Sequence, residues 1–357
     1  MAPPVVLAAA SVTHELVDFF DYSSGEKRGT LRNLIAQPHE LTVDNATRRL
    51  YLAHTYRNGP YDSGAIPGHE ISIIDVDSMS VIDVIDIHPF IAPHDVEYNP
   101  ATGLLFASVE RNSAGNGVVV IDPQTSSVID NIPTSPRNAH WLAVPESGSV
   151  CVVSHKEAPM ISVLDLSSRK VVGEVDLPGG AEEVDISPDG RWIFAATPHQ
   201  TAPAPETHSP SRLVKIDAST LEVVGDIELP SANSALRVGN HGNVYVSQMT
   251  PVWGKMGDSR GALHIVDSDS MSLTASVQLD LESFTIREAP DGATVCVANL
   301  VSGTINVVDL AESRVIRTLE CSRDKESPLG GTHGLSFVSR DRPRPVVGAA
   351  GRVAGYA

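Results

Sequence analysis

The chain has 357 residues, a formal net charge of −18, 41% apolar content and 5% aromatic content. That acidity suits a soluble protein and argues against a nucleic-acid partner, because binding phosphates needs clustered Lys and Arg. No stretch approaches ~18 uninterrupted apolar residues, so no membrane span is expected. Cys151, Cys296 and Cys321 include no Cys-x-x-Cys pair, and three thiols do not make a disulfide framework. Cys151 and Cys296 fall in apolar strand positions, where a buried thiol packs as a small hydrophobe. The run from Met1 to Ala10 is apolar but has no basic residues before it. The expectation is a cytoplasmic chain, with a secreted or periplasmic one if a signal has been removed.

Taken in order, Val5 to Val12 and Glu15 to Asp21 read as strands with no inner strand ahead of them. Then comes Gln37-Pro38-His39-Glu40-Leu41, followed by Arg49-Leu50-Tyr51-Leu52-Ala53. The phrase returns as Ala92-Pro93-His94-Asp95-Val96 and as Asn138-Ala139-His140-Trp141-Leu142. It persists with Glu182, Ser234 and Phe284 in the histidine slot, and closes with Gly331-Thr332-His333-Gly334-Leu335. A period in the forties to fifties, rich in Val and Ile, fits one four-stranded propeller blade per repeat. Seven copies predict an all-β, seven-bladed β-propeller over residues 1–340, as a single domain. Residues 341–357 are left as a C-terminal strand or a frayed tail. The N- and C-terminal strands are expected to share one blade, which closes the ring and removes open sheet edges.

Six of the repeats also carry a strand ending in aspartate: Asp75, Asp122, Asp165, Asp217, Asp267 and Asp309. A carboxylate there can accept hydrogen bonds from turn N–H groups, so these six are assigned to structure. The whole phrase resembles the YVTN-type repeat of WD40-like seven-bladed propellers, covering about residues 15–340. The Ser-Pro-Asp-Gly turn of such repeats survives at Ser187-Pro188-Asp189-Gly190, with a partial copy at Pro290-Asp291-Gly292. The resemblance implies the fold; propellers of this kind host enzymes, binding modules and cell-surface proteins alike.

In such a blade the start of the inner strand and the end of the second strand share one face. His39, His94, His140, Glu182, Ser234, Phe284 and His333 therefore converge on one mouth of the central channel. His333, His39, His94, His140 and Glu182 fall on five consecutive blades and form an arc. A second ring is expected from His54, Glu110, His155, His199, Gln248 and Asn299. Long loops carrying Tyr56, Arg57, Tyr61, Trp253 and Lys255 rise on the same side, and such loops often bind ligands.

Imidazoles with a carboxylate nearby suit Zn, Fe, Cu or Ni. The candidate metal ligands are His39, His94, His140 and His333. The candidate catalytic residues are Glu182 and Glu110 as proton acceptors, His155 in the second ring, and Tyr56 and Arg57 over the substrate. A metal-free acid–base site and purely structural histidines are the competing readings. No Gly-x-Gly-x-x-Gly, phosphate loop, His-Glu-x-x-His or Gly-x-Ser-x-Gly occurs in the required context, so no nucleotide cofactor is expected. The function expected is a small-molecule lyase, isomerase or cyclase, including pericyclase-like enzymes. A metal-dependent oxidoreductase and a non-catalytic interaction module are the alternatives. The expected partner is a small organic substrate, and the chain is expected to be a monomer.

Overall fold

A computed structural model describes residues 5–58, 65–112, 116–135, 138–145, 148–156, 158–197, 211–230, 233–248, 260–323, 327 and 329–339. These residues form twenty-eight strands in seven four-stranded antiparallel sheets, with no helix among them. The chain is a seven-bladed β-propeller. Six blades take their strands consecutively, β4–β7 being the first (Pro38–Asp44, Arg49–Tyr56, Pro67–Asp75 and Ser80–Asp86).

The seventh blade closes the ring. Its inner strand is β28 (Thr332–Val338), followed outward by β1 (Val6–Ser11), β2 (Leu16–Asp21) and β3 (Lys27–Leu31). Leu7 lies opposite Phe337 on one side and Phe20 on the other. Residues 341–357, expected above to be a C-terminal strand or a frayed tail, lie outside the described residues. Two contacts fasten the closure. The Asn45 side-chain oxygen accepts the Ser339 N–H at 2.7 Å, and buried Asp18 accepts hydrogen bonds from Ser322 Oγ at 2.8 Å and Lys27 Nζ at 3.2 Å.

The core lies between blades. Alternate residues of a strand face opposite neighbours, because strand side chains alternate with period two. Leu50 and Leu52 pack toward the closing blade with Val17 and Phe19. Tyr51 and Ala53, on the other face, pack against Val96 and Leu105 of the second blade. Each of the seven blade interfaces has such a cluster.

The strand-end aspartates act as turn caps. Asp75, Asp165 and Asp267 accept backbone N–H groups of Ser78, Ser168 and Ser270 at 2.6–2.8 Å. Asp122, Asp217 and Asp309 do the same for Gln124, Ser219 and Glu312, each at 2.8 Å. These hydrogen bonds hold the carboxyls of Asp75, Asp165, Asp217 and Asp267 below the usual carboxylate range. No described helix is long and apolar enough to cross a membrane.

Candidate functional site at the channel mouth

A repeated backbone device builds the mouth. Two residues before the histidine slot, Gln37, Ala92, Asn138, Gly180, Glu282 and Gly331 all adopt positive φ between 50° and 78°. This left-handed residue turns the chain into the inner strand. A β-bulge follows at the slot itself, where pairing skips from Pro38 to Leu41, Pro93 to Val96, Ala139 to Leu142 and Ser283 to Ile286. A bulge sets two residues against one, leaving a backbone N–H unpaired. Serines on the second strands meet that need. Ser108 Oγ accepts Asp95 N–H and Ser154 Oγ accepts Trp141 N–H, each at 3.1 Å. Each serine hydroxyl also donates to the next blade's inner strand, Ser108 to the His140 carbonyl and Ser154 to that of Glu182 at 2.8 Å.

This geometry assembles the expected arc as a continuous row of rings. Centroid separations are 4.6 Å for Phe284–His333, 4.3 Å for His333–His39, 4.2 Å for His39–His94 and 3.7 Å for His94–His140. Burial and the neighbouring imidazoles push both His39 and His94 well below the usual histidine range. The middle of the arc is therefore neutral.

The two ends differ. At one end, His140 Nδ1 lies 3.1 Å from the Glu182 carbonyl oxygen, which can only accept, so Nδ1 carries the proton. His140 Nε2 lies 3.3 Å from the Lys156 ammonium, which only donates, so Nε2 presents a lone pair. That lone pair is 3.5 Å from Glu110 Oε1, and the same oxygen is 3.9 Å from His94 Nε2. Glu182 Oε1 stands 3.9 Å from both His140 Nε2 and Lys156 Nζ. The buried Tyr56 hydroxyl donates to Glu110 Oε2, fixing the carboxylate. At the other end, His333 Nδ1 is 2.5 Å from Glu40 Oε1. Glu40 is fully buried; it also accepts from Thr285 Oγ1 at 3.1 Å and faces Arg287 Nη2 at 3.8 Å. His39 Nδ1 is farther from that oxygen, at 4.0 Å.

Two groups therefore have ligand-forming atoms close enough to hold an ion: His94, Glu110 and His140, and His39, Glu40 and His333. Glu40 and Lys156 are the residues sequence reasoning missed. Glu40 sits beside the slot, and the bulge turns it inward with its neighbour. Lys156 follows His155 by one residue, in register with Glu110.

The expected second ring divides for the same reason. Glu110 reaches the arc, whereas His54, His155, Gln248 and Asn299 turn into their own blades. His54 Nε2 meets Ser72 Oγ at 2.8 Å and His155 Nε2 meets Ser162 Oγ at 2.9 Å. Gln248 meets His264 at 3.0 Å, and Asn299 meets Asn306 at 2.9 Å. Tyr56 donates its hydroxyl to Glu110, and Arg57 pairs with Glu70. His199, Tyr61, Trp253, Lys255 and the Ser234 side chain lie outside the described residues.

Deeper in the channel, a second belt joins neighbouring inner strands. Glu183 Oε2 accepts Leu236 N–H at 2.7 Å, Asp185 Oδ2 accepts Val238 N–H at 2.8 Å, and Asp95 Oδ2 accepts Leu142 N–H at 3.1 Å. Burial pushes the Asp95 and Glu183 carboxyls well above the usual range. Asp185 stabilises the charged Arg237 guanidinium, 3.6 Å away.

No family model and no curated protein matches the sequence. Solved structures do share the fold. Hydrazine synthase of Kuenenia stuttgartiensis is 17% identical with a TM-score of 0.68, over 83% of this chain and 90% of that one. A functionally unknown protein of Desulfotomaculum acetoxidans is 11% identical with a TM-score of 0.70, over 94% and 99%. The dihydro-heme d1 dehydrogenase NirN is 12% identical with a TM-score of 0.60, over 90% of this chain and 64% of that one. By fold, then, the chain is similar to seven-bladed propellers that include enzymes.

Proposed function

We propose that the protein is a metal-dependent enzyme that performs acid–base chemistry on a small organic substrate, in the lyase, isomerase or cyclase class. The carrying observation is that His140 Nε2 and Glu110 Oε1, two lone-pair donors, face each other at 3.5 Å beside His94. Two such atoms repel, and a cation bound by both relieves the repulsion. Metal–ligand bonds of 2.0–2.2 Å place neighbouring donors about 3 to 3.5 Å apart. The tautomer of His140, with Nδ1–H on a backbone carbonyl, is the one a metal ligand needs. Two imidazoles and one carboxylate suit Zn or Fe(II), with coordination positions left for substrate. His39 and His333, included in the ligand set expected from sequence, fall outside this group of three.

In this reading His94, Glu110 and His140 would hold the ion, which would supply Lewis acidity toward a substrate oxygen. Tyr56 holds Glu110 to one ligating oxygen, and Glu182 with Lys156 exchanges protons at the rim. His155 keeps its place behind the arc as packing support, and Arg57 faces incoming substrate from its pair with Glu70. The repeat itself is read as YVTN-type, on the Pro-His inner strand and the strand-end aspartate.

Lys156 supplies the rival cation, since its ammonium already contacts His140 Nε2. Elemental analysis of protein purified without chelator or His-tag, then reloaded with Zn or Fe(II), separates the two. The expected result is about one ion per chain, lost in a folded Glu110→Gln or His94→Ala variant. A wild type that takes up no ion, with Lys156→Met equally empty, leaves Lys156 as the resident cation and removes the metal reading.

A further inference from the structure

The second histidine–carboxylate group differs from the first in its distances, and the difference decides its chemistry. Glu110 stands 3.5 Å from His140 Nε2 and 3.9 Å from His94 Nε2, both beyond ordinary hydrogen-bond length, the first at the separation of two donors on one ion and the second slightly wider. Glu40 Oε1 stands 2.5 Å from His333 Nδ1, a charge-assisted hydrogen bond with no room for an ion between the two atoms. The Glu40 carboxylate has the setting of an orienting group. It is fully buried and hydrogen-bonded by Thr285 Oγ1 at 3.1 Å, and its other oxygen faces Arg287 Nη2 at 3.8 Å. A proton held on Nδ1 leaves His333 Nε2 as the basic nitrogen. A buried carboxylate behind a histidine does the same in hydrolytic triads, fixing the tautomer and stabilising the imidazolium that forms.

We propose that His333 is the general base of the site and Glu40 its positioning residue, separated by His39 from the metal-binding group. This rests on the proposed metal-dependent function and assigns its proton transfer. The substrate class that fits is a carbonyl compound with a C–H next to the carbonyl, its oxygen directed toward His94, Glu110 and His140. His333 Nε2 takes the proton from carbon, and the C–H electron pair moves into the carbonyl as an enolate. In a substrate with a hydroxyl on that carbon, the imidazolium returns the proton to the former carbonyl carbon while the hydroxyl's own proton passes to the former carbonyl oxygen, giving isomerisation. In one with a hydroxyl on the next carbon, the enolate reforms the carbonyl as the C–O bond breaks, and the imidazolium protonates the leaving hydroxyl, giving water and an alkene conjugated to the carbonyl. Nothing is oxidised or reduced. His39 is stacked between the two groups, 4.2 Å from the His94 ring and 4.3 Å from that of His333.

Two measurements on the full chain test this. In protein labelled with 15N-histidine, long-range proton–nitrogen correlations report each tautomer, with His333→Gln used for assignment. His333 is expected in the Nδ1–H form with a downfield Nδ1–H signal that Glu40→Gln abolishes. Added Zn should shift His94 and His140 while leaving His333 in place. The second measurement is deuterium uptake from D2O into hydroxyacetone, which should fall ~100-fold in both Glu40→Gln and His333→Gln at unchanged zinc content. Zinc shifts on His333 equal to those on His94 would overturn the proposal in favour of a second ion. Exchange that is absent in the wild type, or unchanged in both variants, would overturn it as well. If zinc moves no imidazole but the Nδ1–H signal and the exchange loss persist, the metal reading fails and the dyad stands.

Discussion

His54 and His264 show how much the direction of one side chain decides. Both face blade interiors, bonded to Ser72 and to Ser276 with Gln248, and burial pushes each down to about 4. Their unfolded pKa is ~6.5, so below that pH the unfolded chain takes up protons that the fold refuses. Their contribution to stability is complete above ~6.5 and is lost as pH falls from there toward 4, by at most ~1.4 kcal/mol per unit for each group. The buried carboxyls of Asp95 and Glu183, pushed upward, act with the opposite sign, so the variant comparison carries the information. Between pH 7.5 and 5.5, urea denaturation should show His264→Gln losing about 1 kcal/mol less stability than the wild type. An identical loss in both would mean that His264 titrates normally. The same one-residue phase separates Glu110 and Lys156, which reach the arc, from His155, which does not. From sequence all three are polar residues at the end of a second strand, and only the bulge opposite shows which of them turns inward.

At the scale of the strand, the left-handed residue, the bulge and the serine form one unit repeated around the ring. Gly180, Gly331 and Asn138 are residues that favour positive φ, so part of the unit is visible in sequence. Ala92 adopts φ 55° with no such preference, and nothing local announces it. The serine is the link that can be tested. Ser154→Ala leaves the bulge N–H of Trp141 without its acceptor and removes a donor from the Glu182 carbonyl, which also anchors His140. Chemical denaturation should show a loss of about 1–3 kcal/mol. Ser78→Ala, at the exposed turn beside Asp75, should stay within ~0.5 kcal/mol. Equal effects at both positions would deny the serine its stitching role.

For the whole molecule, closure by β28 is the step on which the ring depends. Leu335, Phe337 and Val338 are buried there, and each such side chain contributes roughly 1.5–3 kcal/mol. Removing the chain from Gly331 onward would forfeit that packing and expose the β1 edge, against a total stability of about 5–15 kcal/mol for a typical protein. The expected outcome is no folded monomer, read by circular dichroism and size-exclusion chromatography. A cooperative, monomeric truncation would show six blades to be self-sufficient. Closure also brings His333 to Glu40 across 293 residues of chain. The sequence by itself determined the blade number, the shared closing blade, the aspartate caps and the convergence of four imidazoles, because all of these follow from a period that repeats along the chain. Which imidazole meets which carboxylate, and at what distance, was decided only by the tertiary structure. Those pairings depend on bulges that change side-chain phase and on contacts between blades, and neither leaves a local pattern in the residues that make them.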